Sequence, residues 1–213
     1  VVKRYLSNLT PQIFARYRDD RLDEGLSAST VCRELSFMSV AIKKAVRLYN
    51  CWLPEHPIPN DIKPKEKAPR NRRLEDGEFD KLIEHSKAKK NSYWCFMIEF
   101  AIETAMRLNE QLTLTWDKVD LKNMLITVLA EHSKTVIQRK IPLTPRAIEI
   151  LKELQQLPRH INGRVFPVSL NNFQRAWRSI TRRSEIKDLH WHDLRREACS
   201  RLMESGLSIS EVQ

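Results

Sequence analysis

Hydrophobic residues recur along most of this chain at three- and four-residue spacing, the period of a helix with one buried face. Thr10-Pro11 opens the first such segment, with Thr10 as the cap and Pro11 at the first helical position, where no amide hydrogen is needed. Ile13, Phe14 and Tyr17 mark its inner face, and Gly25 supplies a left-handed stop. Ser27 or Ser29 starts a longer amphipathic helix, whose apolar stripe is Val31, Leu35, Met38, Ile42, Ala45, Val46 and Tyr49. Its other face carries Arg33, Lys43, Lys44 and Arg47.

The period then breaks. Pro54, Pro57, Pro59, Pro64 and Pro69 exclude a regular helix, since each lacks an amide hydrogen and restricts the residue before it. Lys63, Lys65, Lys67, Arg70, Arg72 and Arg73 face a single acid, Glu66, so residues 63–73 read as a cationic linker. Residues 1–62 thus form one helical domain, and residues 74–213 a second. In the second, "EDGEFDKLIEHSKAKK" and "SYWCFMIEFAIETAM" have helical periodicity, and the latter is apolar enough to be central to a core. "MLITVLA" and "TVIQRKIPLT" are β-branched and extended, with "EHSK" as the turn between them. Thr144-Pro145 caps a further helix, and "SLNNFQRAWRSITRRS" forms another with Phe173, Trp177 and Ile180 inward. A last helix begins at about His192 and ends at Gly206. Trp116, Trp177 and Trp191 read as core aromatics. The class is mainly α, with a small antiparallel β-sheet (α+β). Ser208 and Glu211 have capping-box spacing, yet the chain stops at Gln213, so it reads as a fragment of a longer protein.

Composition narrows the function. The four glycines disfavour a glycine-rich phosphate cradle. Cys32, Cys51, Cys95 and Cys199 form no CxxC pair and read as reduced thiols. No apolar run is long enough to cross a bilayer, and the expected location is cytoplasmic, associated with the nucleoid. Thirty-seven Lys and Arg against 27 Asp and Glu give a net charge of +10. A polyanion suits that surface, because binding it releases counterions.

Candidate chemistry gathers at five positions: Arg107, Glu110, Lys134, His192 and Arg195. A phosphodiester gains negative charge on its non-bridging oxygens in the transition state, and the guanidinium fork matches them. A lysine can protonate a departing 5′ oxygen, and a histidine can move a proton at the attacking group. Without a carboxylate cluster to hold a divalent ion, this set describes metal-free phosphoryl transfer; no metal or other cofactor is expected. The plainer alternatives are a helix-end ion pair between Arg107 and Glu110, and for His190 and His192 a metal pair that lacks a third ligand. Arg196 faces either solvent or nucleic acid.

"TAMRLNEQLTLTWDKVDL" resembles the first-arginine box of the tyrosine recombinases, the phage integrase family. "HDLRREACSRLMESGLSISEVQ" resembles the family's His-x-x-Arg box, and "SKTVIQRKIPL" its lysine-bearing hairpin. The likeness implies a core-binding domain over about residues 1–64 and most of a catalytic domain thereafter. It also implies that Arg107 and Arg195 clamp the scissile phosphate, that Lys134 is the general acid, that His192 moves a proton, and that Glu110 supports the site. The implied partner is double-stranded DNA carrying specific sites, bound by a homotetramer of the complete protein and by a monomeric fragment. Two departures stand out. The family's nucleophilic tyrosine has no counterpart, since Tyr5, Tyr17, Tyr49 and Tyr93 all lie upstream in other contexts. Ala105 stands where the family usually has glycine, which makes a left-handed backbone there less expected. The fragment is therefore expected to bind DNA without cutting it. The alternatives are a non-catalytic DNA-binding homologue that regulates recombination, and a metal-dependent nuclease, which lacks its carboxylates.

Overall fold

The computed structural model describes residues 5–50, 53, 55–88, 93–129, 138–158 and 160–208. The chain divides into two compact units, Val1–Arg70 and Asn71–Gln213.

Two helices dominate the first unit: α1 (Pro11–Asp23) and α2 (Ala28–Tyr49), with 3-10 turns at Leu6–Asn8 and Asn60–Ile62. Pro11 occupies the start of α1, but the Thr10 side chain makes no capping bond there. Gly25 takes the left-handed conformation at its end. Ser27 is the residue that caps α2, accepting from the Thr30 amide at 3.2 Å. Phe14, Val31, Leu35, Ile42, Ile58 and Ile62 form the core, with Met38 and Val46 packed against it. Tyr49 does not join the buried stripe; it is 76% exposed. Glu34 ties the helices together, accepting from Arg21 and from the Tyr17 hydroxyl at 2.9 Å.

The second unit is built on α4 (Tyr93–Thr104), whose residues Trp94, Met97, Ile98, Phe100, Ala101 and Ile102 are all buried. Packed on it are α3 (Glu78–Lys87), α6 (Pro145–Gln155) and α8 (Trp191–Glu204), while α5 (Leu108–Thr113) follows α4 after three residues. A helix buried on nearly every side must be largely apolar, as this one is apart from Glu99 and Glu103. The sheet is antiparallel in the order β1 (Val119–Asp120), β2 (Leu125–Val128), β3 (Arg139–Pro142). Its register pairs Val128 with Arg139 and Ile126 with Ile141. The two-residue strand β1 is too short to leave a periodic signal in the sequence. The turn expected between β2 and β3 falls outside the described residues. Thr144 caps α6, accepting from the Ala147 amide at 3.1 Å. Finally, α7 (Leu170–Arg183) turns Phe173, Trp177 and Ile180 inward. Trp191 meets Phe173 and Trp177 edge-on, with ring centres 4.7 and 5.0 Å apart. Those rings fix the start of α8, the helix that carries the last candidate residues. Among the described residues no helix is long and apolar enough to cross a membrane.

Candidate functional site

The site begins where α4 stops. The Thr104 hydroxyl donates back to the Phe100 carbonyl at 2.6 Å, and Ala105 then turns the chain with φ of 51°. That left-handed backbone is contrary to the sequence expectation for an alanine. A non-glycine residue there costs roughly 1–2 kcal/mol, offset here by burial of its methyl group and by the bond its carbonyl accepts. Arg107 follows in extended conformation as the N-cap of α5. Three residues on, Glu110 lies 2% exposed with its carboxylate turned back toward the cap.

That carboxylate is fully engaged. Its Oε2 accepts from the Arg107 amide at 2.9 Å and from Arg139 Nη2 at 2.8 Å. Its Oε1 accepts from Arg107 Nη1 and from Arg139 Nη1, both at 3.0 Å. Burial pushes the carboxyl up, but the bonds from Arg139 and then from the Arg107 amide and guanidinium outweigh it, so Glu110 stays below the usual range. The expected Arg107–Glu110 pair is present, and a second arginine shares it.

Arg195 arrives from α8. Its guanidinium donates to the Ala105 carbonyl, the atom that the left-handed turn aims outward. Among the described residues Arg195 makes no ion pair. Burial, and then the positive charge of Arg107, push its pKa below that of a free arginine. His192, one turn earlier, is pushed down by desolvation and by the charges of Arg196 and Arg195, with a smaller push from Arg107. The three candidates therefore share one cationic field. Asp193 accepts from the His190 amide at 2.8 Å and from Arg196 at 2.9 Å, so Arg196 is paired on its own helix.

An open cavity of about 210 Å³ adjoins Arg195 and Arg139, lined also by Glu103, Ala105, Leu143 and Leu202 among others; Arg107 and His192 are not part of its wall. Three cations, Arg139, Lys140 and Arg195, face one carboxylate, Glu103, around a mainly apolar floor.

Arg107, Glu110, His192 and Arg195 thus come together. Lys134 lies outside the described residues, as does Glu211, the expected capping partner of Ser208. Arg33, Lys43, Lys44 and Arg47 are exposed on α2 of the first unit, as are Lys65 and Lys67 beyond it, while Lys63 and Arg70 are half-buried. Arg72 and Arg73 belong to the second unit and are engaged there. Arg72 bonds Glu78, and Arg73 bonds Glu197 at 3.0 Å and also Glu204. Sequence reasoning passes over Arg139, a residue of the hairpin expected to carry Lys134. The available signal is its place in β3 opposite the buried Val128.

Residues 72–213 match the family model described as the phage integrase family. The shufflon-specific DNA recombinase of Escherichia coli is 34% identical over all of the chain and 57% of its own length. The integrase of Salmonella phage P22 is 26% identical over 88% of the chain and 50% of its own length. The chain thus spans about half the length of these relatives. Among solved structures, the Tn1549 transposon integrase in complex with circular intermediate DNA superposes with a TM-score of 0.79 at 16% identity, covering 99% of this chain and 78% of that one. A lambda integrase dimer bound to a core site gives 0.69 at 19% identity, covering 97% and 78%. At such identities the likeness is one of fold.

Proposed function

The chain belongs to the phage integrase family, the tyrosine recombinases, and from that premise we propose that it is the DNA-binding and phosphate-activating part of a site-specific DNA recombinase. Arg107 and Arg195 bind the non-bridging oxygens of the scissile phosphate and stabilise the charge that builds there. His192 exchanges a proton with the attacking or departing oxygen, and Lys134 protonates the leaving 5′ oxygen. A tyrosine oxygen forms the new bond to phosphorus as the 5′ oxygen departs, so the ester energy is kept for rejoining and no cofactor is consumed.

What supports this reading is that Arg195 bonds the carbonyl of Ala105, two residues before Arg107, and that among the described residues it makes no ion pair. We assign the nucleophile to none of the chain's four tyrosines, whose sequence contexts differ from the family's. Tyr17 is bonded to Glu34 in the first unit, and Tyr93 opens α4, about 18 Å of helix from Ala105 at the usual rise per residue. On this reading the attacking tyrosine is not one of these four, and the chain alone binds duplex DNA without cutting it. The exposed cations of α2, with Lys65 and Lys67, contact phosphates; the half-buried Lys63 and Arg70, and the paired Arg72 and Arg73, contribute less. The active assembly is a homotetramer on paired sites, and the chain alone is a monomer.

The test is a nicked suicide substrate incubated with the product of the full gene. A covalent protein–DNA adduct through tyrosine is the expected result. Absence of any adduct on a substrate that the protein binds specifically would favour the other reading, a DNA-binding regulator of recombination.

A further inference from the structure

Resting on that reading of the site, we propose that Arg139 is a positioning residue that keeps Arg107 available to the phosphate by competing for Glu110. A carboxylate offers about four acceptor sites, and at Glu110 the Arg107 amide holds one, so two guanidiniums compete for the other three. Arg139 takes both oxygens, at 3.0 and 2.8 Å. Arg107 is left with one guanidinium bond to Oε1, at 3.0 Å, while the second oxygen goes to its backbone amide. One guanidinium edge of Arg107 is therefore held while the rest stays open to a ligand, and its side chain keeps 33% exposure beside a carboxylate that is almost wholly covered.

Charge leads to the same conclusion. Glu110 carries one negative charge against two guanidiniums, so the cluster keeps a net positive charge beside Arg195. If Arg139 were neutral, Glu110 would be left with Arg107 as its one guanidinium partner in this cluster. The buried carboxylate would then draw Arg107 into a closed bidentate pair, and the charge would be cancelled where the phosphate needs it. Arg139 stands on β3 and Glu110 on α5, so the same contact fixes the sheet edge against the arginine turn. The position of the hairpin is thereby linked to how far Arg107 is released.

The test uses the 213-residue chain with inorganic phosphate as the probe, titrated while the Nε–Hε resonances of Arg107 and Arg195 are followed. Arg139→Gln should weaken phosphate binding at those resonances about 10-fold. In a Glu110→Gln background the same change should matter less than about 2-fold, because no carboxylate remains to capture Arg107. Arg139→Lys, which keeps a charge but not the fork, should fall between, and guards against a fold defect in the glutamine variant; circular dichroism reports folding in each case. A purely structural Arg139 would lower the melting temperature and leave phosphate affinity unchanged, which would overturn the proposal. An equal loss in both backgrounds would overturn it too. If Arg107→Ala leaves phosphate binding intact, the phosphate-clamp reading itself fails, and this inference with it.

Discussion

Arg146 and Arg195 sit on two helices, α6 and α8, that pack against the same α4, and they have opposite fates. Arg146 meets Glu99 of α4 at 2.6 and 2.9 Å, then Glu149 at 3.0 Å and Glu153 at 3.3 Å. Three carboxylates push its pKa up. Arg195 meets the backbone carbonyl at the end of α4 and is pushed down, first by burial and then by Arg107. An arginine surrounded by acids is electrostatically complete, and its role is to hold α6 in place. A half-buried arginine beside another arginine is incomplete, and the fold tolerates it at a cost in stability. What separates the two positions is that among the described residues Arg195 makes no ion pair, a countercharge that a bound phosphate would supply.

The largest expected effect follows from that contrast. In the full-length protein, Arg195→Ala or Arg107→Ala should slow adduct formation by at least about 10²-fold, the order seen when a charge-stabilising donor is removed. Arg146→Ala should leave the rate within about 2-fold. A comparable rate loss from the Arg146 change, in a protein that still folds, would break the distinction.

Stability should respond in the opposite sense. Replacing an unpaired, half-buried charge by an apolar side chain is often stabilising, so Arg195→Met should raise the unfolding free energy by about 1 kcal/mol. Arg146 is 42% exposed, so solvent screens its pairs, and Arg146→Met should lower stability by roughly 0.5–1 kcal/mol. Urea melts of the two variants would decide it. Sharper loss of stability at position 195 than at 146 would mean that Arg195 is a structural residue after all.

His192 reads the same field through pH. Its folded-state pKa lies below the ordinary value, so between the two the unfolded chain binds more protons than the native one. Stability from this group is therefore full above the ordinary histidine range and falls as pH drops through that window toward the depressed pKa. Phosphate at the site should offset the arginine charges and raise the His192 pKa, visible as a shifted imidazole titration by NMR. Arg195→Met should raise it as well, and Arg146→Met should leave it alone. A His192 titration indifferent to both phosphate and Arg195 would put the histidine outside the cationic field.

Local relations were readable from the sequence. Arg107 and Glu110 are three apart, the spacing at which a cap residue meets the third residue of its helix, and His192 and Arg195 share a helix face. The mostly apolar character of α4 likewise announced its central place. Relations set by long-range folding were not readable. Arg139 lies 29 residues from Glu110, and nothing local says which of Arg139 and Lys140 a strand turns inward. Tyr49 continues the period of α2 beyond the packing it was expected to share. Arg73 reads as a free linker cation until the fold brings up Glu197, 124 residues away. Period reports what an element is, and only the assembled core reports what it touches.

Ala105 is where the comparison is most finely balanced, and its expected effect is the smallest. The bond to Arg195 comes from a backbone carbonyl, so it depends on the turn and not on the side chain. Ala105→Gly would relieve about 1 kcal/mol of left-handed strain. The change would forfeit about 0.8 kcal/mol for the buried methyl and some tenths more through the freer unfolded chain. Those contributions nearly cancel, so the denaturation midpoint should shift by the equivalent of under about 0.5 kcal/mol, with phosphate affinity at Arg195 unchanged. Ala105→Val behaves differently, because a β-branched residue is a true outlier at positive φ. It should move the carbonyl and weaken phosphate binding at Arg195, leaving Arg146 and its carboxylates undisturbed. If valine is accepted with the Arg195 resonances unshifted, the carbonyl is not what holds Arg195 in place, and its bond to Ala105 is incidental to the site.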